Sequence, residues 1–114
     1  MSDRSLELLK GTLDVLILKT LSWGPLHGYA VSRWIRGRTG DAFSIEEGAL
    51  YPALRRLHKK GLLEARWGAT DTGREAKFYT LTDAGRRQLQ AEVMSWGRYV
   101  EAMSAVLHSP DPAL

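Results

Sequence analysis

Cysteine is absent from the 114 residues, and this absence excludes disulfide bonds, thiolate zinc sites and a cysteine nucleophile. Long apolar runs are absent too, because none reaches the roughly 18–20 residues that a membrane-spanning helix requires. The first ten residues carry charges of both signs and lack the apolar core and cleavage site of a signal peptide. We therefore expect a protein of the reducing cytoplasm with no membrane segment.

Residue sets that would indicate catalysis or metal binding are also missing. The three histidines, His27, His58 and His108, are too far apart in the sequence to predict a metal site. No Ser/His/Asp set, paired-carboxylate spacing or glycine-rich phosphate loop stands out. The sequence thus predicts neither an enzyme nor a protein that depends on a cofactor.

The net charge of +3 is small, but the basic residues are concentrated in the middle of the chain. Residues 54–87 contain nine lysines and arginines against four acids, whereas residues 88–114 contain one arginine against three acids. A basic segment of this kind indicates a surface that faces a polyanion, although charge alone fits a solvated surface equally well. The length and an apolar content of 44% predict one compact domain.

Two amphipathic helices are expected in the first forty residues. The first ends at the Trp-Gly-Pro sequence of residues 23–25, and Gly11 moves its regular part towards residue 12. Its apolar residues recur in steps of three and four; they are Leu6, Leu9, Leu13, Leu16, Ile17 and Leu21. The second helix is expected over about residues 26–38. Its predicted inward side chains are Tyr29, Ala30, Trp34 and Ile35.

A third helix has the clearest start and stop signals. Ser44 and Glu47 form a capping-box pattern, which predicts that the helix begins there. Gly61 supplies a left-handed stop. Pro52 removes one helical hydrogen bond, so we expect a distorted turn but not a break, because the apolar spacing continues through it. The apolar positions are Leu50, Leu54 and Leu57.

Two short β-segments and a long helix complete the chain. Residues 62–67 and 76–81 flank a connector with two glycines, which predicts a hairpin with a long exposed tip. The last helix is expected over residues 82–108, capped by Thr82 and followed by a disordered tail at 109–114. The order α-α-α-β-β-α predicts a mainly α fold with a small β-hairpin, the winged helix-turn-helix. In this fold one helix enters the DNA major groove and the hairpin, or wing, contacts the backbone.

Five segments resemble the PadR family of bacterial regulators. They are LKGTLD at 9–14, GPLHGY at 24–29, GALYPALRRL at 48–57, KGLL at 60–63 and REAKFYTLTDAG at 74–85. Together they span roughly residues 8–87 in the right order. The resemblance implies a homodimeric regulator, usually a repressor, with a winged-helix domain over 1–81 and a dimerisation helix over 82–108. Because the chain stops after one long helix, it is similar to the short-form members.

The resemblance and the basic residues together nominate a DNA-binding surface. Tyr51 leads this set, since it faces away from the leucine stripe; its alternative role is to fill the space between the second and third helices. Arg55 and Lys59 are either backbone contacts or solvated, whereas Arg74 and Lys77 have few structural uses in a hairpin tip. The nominated residues are Tyr51, Ser44, Ala49, Arg55, Lys59, Arg74, Lys77, Lys10 and Thr12.

The long helix carries a heptad pattern of apolar residues, which predicts a dimer interface. Its members are Leu89, Val93, Trp96, Val100, Met103 and Leu107. Trp96 has two readings, since it is either interface core or, with Tyr99 and Met103, part of a candidate pocket for a planar aromatic effector.

Three functions are compatible with these residues. The leading function is a sequence-specific regulator, a repressor that binds a pseudo-palindromic operator as a homodimer and is released by a small effector. One alternative is a winged-helix module that binds an acidic protein partner. A weaker alternative is a nucleoid-type protein that binds any duplex with equal affinity.

Overall fold

The computed structural model describes residues 6–110 and has the expected winged-helix architecture. Three α-helices pack against one face of a small antiparallel sheet, and the fourth helix projects from this body. The elements are α1 (Thr12–Thr20), β1 (Leu26–His27), α2 (Gly28–Arg38), α3 (Glu47–Lys59), β2 (Leu63–Ala69), β3 (Glu75–Leu81) and α4 (Asp83–Leu107), with a 3₁₀ turn at Leu21–Trp23. The predicted fold class is confirmed. Residues 111–114 of the predicted tail lie outside the described part of the chain.

The sheet contains a third strand that the sequence analysis missed. The strand order is β1-β3-β2, and β1 pairs with β3 through Leu26 with Tyr79 and His27 with Phe78. Helix α2 therefore begins at Gly28 and not at residue 26, and the Nδ1 atom of His27 caps it by accepting from the Ala30 amide at 3.2 Å. The hairpin tip is also shorter than expected, because the strand ladder reaches the pair Ala69–Glu75.

The predicted capping box of α3 is wrong. The helix begins at Glu47 with Glu46 as its N-cap, and no side chain makes a capping hydrogen bond. Phe43 and Ile45 pack against the core, which fixes the chain before the helix and leaves Ser44 exposed. Burial of two apolar side chains thus outweighs a local capping pattern.

The predicted stop at Gly61 is confirmed. Its φ angle is 79°, in the left-handed region that favours glycine. The Leu62 amide donates to the Leu57 carbonyl at 3.0 Å, and the Gly61 amide donates to the His58 carbonyl at 3.0 Å. These two bonds define a Schellman motif, which leads the chain directly into β2. The helix also continues through Pro52 without a break, as expected.

The core lies between α1, α2, α3 and the inner face of the sheet. It is formed by Ile17, Leu18, Leu21, Val31, Ile35, Leu50, Ala53, Leu54, Leu57, Leu63, Tyr79, Leu81 and Leu89. Two residues predicted to point inward from α2 do not: Tyr29 is 60% exposed and Trp34 is 40% exposed. The inner positions of α2 are Gly28, Val31 and Ile35. The Trp34 ring packs instead against Trp23, with centroids 5.3 Å apart.

Helix α4 is anchored to the body at its first turns. The Thr82 hydroxyl accepts from the Gly85 amide at 3.0 Å and donates to the Gly61 carbonyl at 2.7 Å, which confirms Thr82 as the cap. Leu89 is buried within its own chain. Beyond Leu89 no residue of α4 is buried, and the described part of the molecule measures 62 × 37 × 21 Å.

Candidate nucleic-acid interface

A broad groove of about 780 Å³ opens between α2, the start of α3 and the wing. The sheet supplies one wall, and the starts of the two helices supply the other. Its lining includes the side chains of His27, Tyr29, Arg33, Glu47, Tyr51, Trp67, Asp71, Arg74, Glu75, Lys77 and Tyr79. The groove thus joins the third helix and the wing, the two elements with which a winged helix contacts DNA.

Tyr51 forms the α3 side of the groove, and its ring lies against the start of α2. A Cβ atom at position 28 would be only 2.7 Å from Cε1 of Tyr51, so only glycine leaves room for the ring. Tyr51 is therefore half-buried and also lines the groove. The two roles considered for this residue, packing between helices and a groove-facing position, are both compatible with its location.

The groove floor includes a buried phenol. Burial raises the pKa of Tyr79 above its ordinary value of 10.0, and nearby Tyr51 raises that pKa further, while Arg55 lowers it. Tyr79 is only 5% exposed. Its neutral form is therefore the form that the fold favours.

The structure brings some of the nominated residues together and separates others. Arg74 and Lys77 line the groove from the wing, and neither forms an ion pair within residues 6–110. On α3, Ala49, Arg55 and Lys59 are exposed but do not line the groove. Ser44 is exposed in the segment before α3.

Lys10 and Thr12 lie elsewhere. They line a second cleft of about 530 Å³, between the start of α1 and α4, together with Trp96 and Tyr99. The Thr12 hydroxyl donates to the Leu9 carbonyl at 2.7 Å, which holds the turn before α1. Trp96 and Tyr99 stack with ring centroids 5.7 Å apart, whereas Met103 is not part of this cleft.

The nominated interface residues of α4 fall into two groups. Leu89 belongs to the core of its own chain. The other five expose large apolar side chains, with exposed fractions between 41% and 68%; they are Val93, Trp96, Val100, Met103 and Leu107. A row of this kind is uncommon on a monomer surface and is typical of an interaction face.

Among the groove residues that the sequence analysis did not nominate, Tyr29, Arg33 and Trp67 carry the large exposed or cationic side chains. Tyr29 had been expected in the core, and neither Arg33 nor Trp67 had been nominated. The alternation along β2 could have indicated Trp67, because Leu63 and Ala65 face the core and Trp67 is next on that face.

The fold and the groove define the class of winged-helix transcriptional regulators. Residues 17–91 match the transcriptional regulator PadR-like family, and this match spans more than half of the chain. The chain belongs to the PadR-like family. Members of this family are transcriptional regulators and not enzymes.

Two bacterial proteins are similar to this chain in sequence. The chain is 34% identical over 95 residues to an uncharacterized protein of Lysinibacillus sphaericus, covering 83% of this chain and 87% of that protein. It is 34% identical over 77 residues to the negative transcriptional regulator PadR of Bacillus subtilis, covering 68% of this chain but only 42% of that protein.

Solved structures show the same architecture. A PadR-like transcriptional regulator from Bacillus cereus superposes with a TM-score of 0.77 at 32% identity, covering 89% of this chain and 96% of the other. Bacillus subtilis PadR in complex with operator DNA superposes with a TM-score of 0.65 at 32% identity, covering 72% of this chain and 46% of the other. Over residues 6–110, no helix has the length and apolar character needed to cross a membrane.

Proposed function

We propose that this protein is a sequence-specific DNA-binding repressor that acts in the cytoplasm as a homodimer on a pseudo-palindromic operator. The observation that carries the proposal is that Tyr51 of α3 lines the same groove as Arg74 and Lys77 of the wing. A helix presented beside a hairpin that places Arg74 and Lys77 in the same groove matches the way in which winged helices read the major groove and hold the flanking phosphates.

The relatives support the same reading. One relative is a negative transcriptional regulator, and the structure of the same Bacillus subtilis protein was solved in complex with operator DNA. A protein bound over a promoter would repress transcription by steric occlusion. The regulated gene would then lie next to the operator.

The exposed apolar row on α4 supports the homodimer. Trp96 is 45% exposed, so covering it would remove somewhat less than half of the roughly 150–250 Å² that a fully buried aromatic side chain withdraws from water. A second copy of α4 offers the same row, and self-complementary pairing is the usual geometry of a twofold dimer. Two copies of α3 would then address successive major grooves, roughly 34 Å apart.

The proposal also includes a binding site for a small effector. The stacked rings of Trp96 and Tyr99 line a cleft beside α1, and a planar aromatic molecule could insert against them. Met103 would join such a pocket only from a second copy or at its edge. A ligand there releases DNA if it favours a dimer whose two α3 helices have the wrong separation.

The proposal is tested by fluorescence-anisotropy titration of the protein against the DNA upstream of its own gene, beside a scrambled duplex of equal length. We expect a preference for the upstream DNA of about 10³ or more, with affinity that falls steeply between about 50 and 200 mM salt. Equal binding to both duplexes would favour the nucleoid-type alternative. Absence of binding to either would favour the protein-partner alternative.

Two variants of the wing and one control variant of α2 extend the same titration. Arg74→Gln and Lys77→Gln each remove one groove cation, whereas Arg36→Gln removes an exposed cation that pairs with Asp41 on the far end of α2. Each groove variant should reduce the salt slope by about 0.9, and the Arg36 variant should leave it unchanged.

A further inference from the structure

Two exposed aromatic rings border the groove, and each carries a cation on its face. On α2 the Tyr29 ring is 60% exposed, and the Arg33 guanidinium lies 5.5 Å from its centroid. On the wing the Trp67 ring is 64% exposed, and the Lys77 ammonium lies 5.8 Å from its centroid. Large aromatic rings left this exposed gain apolar burial only when another molecule covers them.

The position of Trp67 follows from the register of the hairpin. Trp67 pairs directly with Lys77, so the two side chains share one face of the sheet. Nearer the base of the hairpin, Leu63 and Leu81 on that same face are buried in the core. The β2–β3 hairpin extends beyond the core. The sheet face that covers the core at Leu63 and Leu81 therefore faces the groove at Trp67.

Charge alone does not make this groove attractive to a polyanion. Three cations line it, Arg33, Arg74 and Lys77, and so do three acids, Glu47, Asp71 and Glu75. The formal balance is zero. A nucleic-acid strand in the groove must therefore be held by contacts directed at particular sites on it.

We propose that this groove holds one sugar–phosphate strand of duplex DNA between the Tyr29–Arg33 pair on α2 and the Trp67–Lys77 pair on the wing. The inference rests on the proposed function and names the contacts that the sequence analysis did not nominate. A DNA strand alternates apolar deoxyribose faces with anionic phosphates. A ring with a cation beside it complements one such repeat, because the ring covers the sugar while the cation meets the phosphate.

The test uses the full chain and two duplexes of about 30 base pairs, three helical turns each. One duplex is the DNA upstream of the protein's own gene, and the other has a scrambled sequence. Trp67→Ala should weaken binding to both duplexes by the same factor, about tenfold, because a buried aromatic contact at an interface is worth more than 1 kcal/mol. Trp67→Phe should restore part of the loss.

The chain contains a matched control for this variant. Trp23 is 65% exposed and has the Lys19 ammonium 4.7 Å from its centroid, but it does not line the groove. Trp23→Ala therefore removes a tryptophan of nearly the same exposure that also has a lysine over its ring, together with its packing against Trp34. We expect its affinity for both duplexes to stay within twofold of the parent protein. Thermal unfolding of each variant establishes that it is folded.

A second variant tests the α2 side. Arg33→Gln should lower the salt slope by about 0.9, the value for one phosphate contact, whereas Trp67→Ala should leave the slope unchanged. An unchanged slope in Arg33→Gln would overturn the two-walled arrangement.

The outcomes separate this inference from the proposed function. If the parent protein prefers the upstream DNA and Trp67→Ala binds as well as Trp23→Ala, the strand assignment is wrong while the regulator remains. If Trp67→Ala weakens only one duplex, the ring reads bases and the backbone assignment is overturned. If the parent protein binds neither duplex, the proposed function itself fails.

Discussion

The junction between α4 and the winged body depends on Gly85. A Cβ atom at this position would overlap the carbonyl oxygen of Leu62 and would lie 3.1 Å from Cδ2 of Leu81. Two hydrogen bonds hold the same junction: the Thr82 amide donates to the Leu62 carbonyl at 3.1 Å, and the Thr82 hydroxyl donates to the Gly61 carbonyl at 2.7 Å. Helix α4 cannot move away from the overlap without stretching both bonds.

The expected cost of Gly85→Ala follows from these contacts. Weakening the two hydrogen bonds costs about 0.5–1.5 kcal/mol each, and crowding of packed atoms costs about 1–3 kcal/mol. Alanine recovers about 1 kcal/mol of helix propensity. We therefore expect a net loss of about 3 kcal/mol in the free energy of unfolding, which lowers the melting temperature by roughly 12–15 °C in a domain of this size.

The assay is thermal unfolding by circular dichroism at one fixed protein concentration, because dimerisation would make the midpoint concentration-dependent. Gly37→Ala in α2 is the control, since a Cβ atom there would meet open space. It should leave stability unchanged or raise it by up to about 1 kcal/mol. A Gly85→Ala variant that melts at or above the temperature of the parent protein would show that position 85 tolerates a Cβ atom.

Three further predictions concern the turn after α3, the buried phenol and the α4 face. Gly61→Ala should cost about 1–2 kcal/mol in urea unfolding because φ is 79°, and Gly61→Asn should cost less; equal stability of Gly61→Ala and the parent would contradict the strain. Because burial and then Tyr51 raise the pKa of Tyr79 while Arg55 lowers it, the unfolded chain releases this proton first as pH rises. The stability that the neutral phenol contributes is present below pH 10.0 and is lost as pH rises through the higher folded pKa. The urea midpoint of Tyr79→Phe should therefore decline less steeply at alkaline pH than that of the parent. An equal decline would contradict this effect of the pKa. Met103→Glu should shift the protein to its 12.8 kDa monomer in sedimentation equilibrium, whereas Met94→Glu, off the heptad row, should not; a dimer unaffected by Met103→Glu would place the interface elsewhere.

Most of the fold could be predicted from the sequence because its signals are either periodic or strongly punctuated. The leucine spacing of α3 survives Pro52, and Gly61 and Thr82 mark a helix end and a helix start. The exceptions are set by tertiary contacts. Strand β1 has two residues, too few for any period, and exists because β3 offers a free edge.

The prediction of a capping box at Ser44 and Glu47 was wrong for the same reason, since Phe43 and Ile45 decide the path of the chain before α3.

The candidate site could be predicted only in part. Basic residues of the wing are visible in the sequence, but an exposed tryptophan looks the same as a core tryptophan in a list of apolar residues.

The exposed position of Tyr29 could not be predicted from the sequence either. Its helix neighbour Gly28 occupies the inner position because the Tyr51 ring fills the space that a larger side chain would need. The predicted inward face of α2 was therefore right at Ile35 and wrong at Tyr29 and Trp34. Only the packed structure shows that Tyr29 faces the groove.

The proposed function requires that two copies of this chain read a specific duplex sequence together, and selection from a library of random duplexes tests this requirement. The protein is used to enrich bound duplexes over several rounds, and the survivors are sequenced. We expect one inverted repeat whose half-sites are centred about one helical turn apart, or a whole multiple of it. Survivors without any shared sequence, or with a single unrepeated site, would contradict the account.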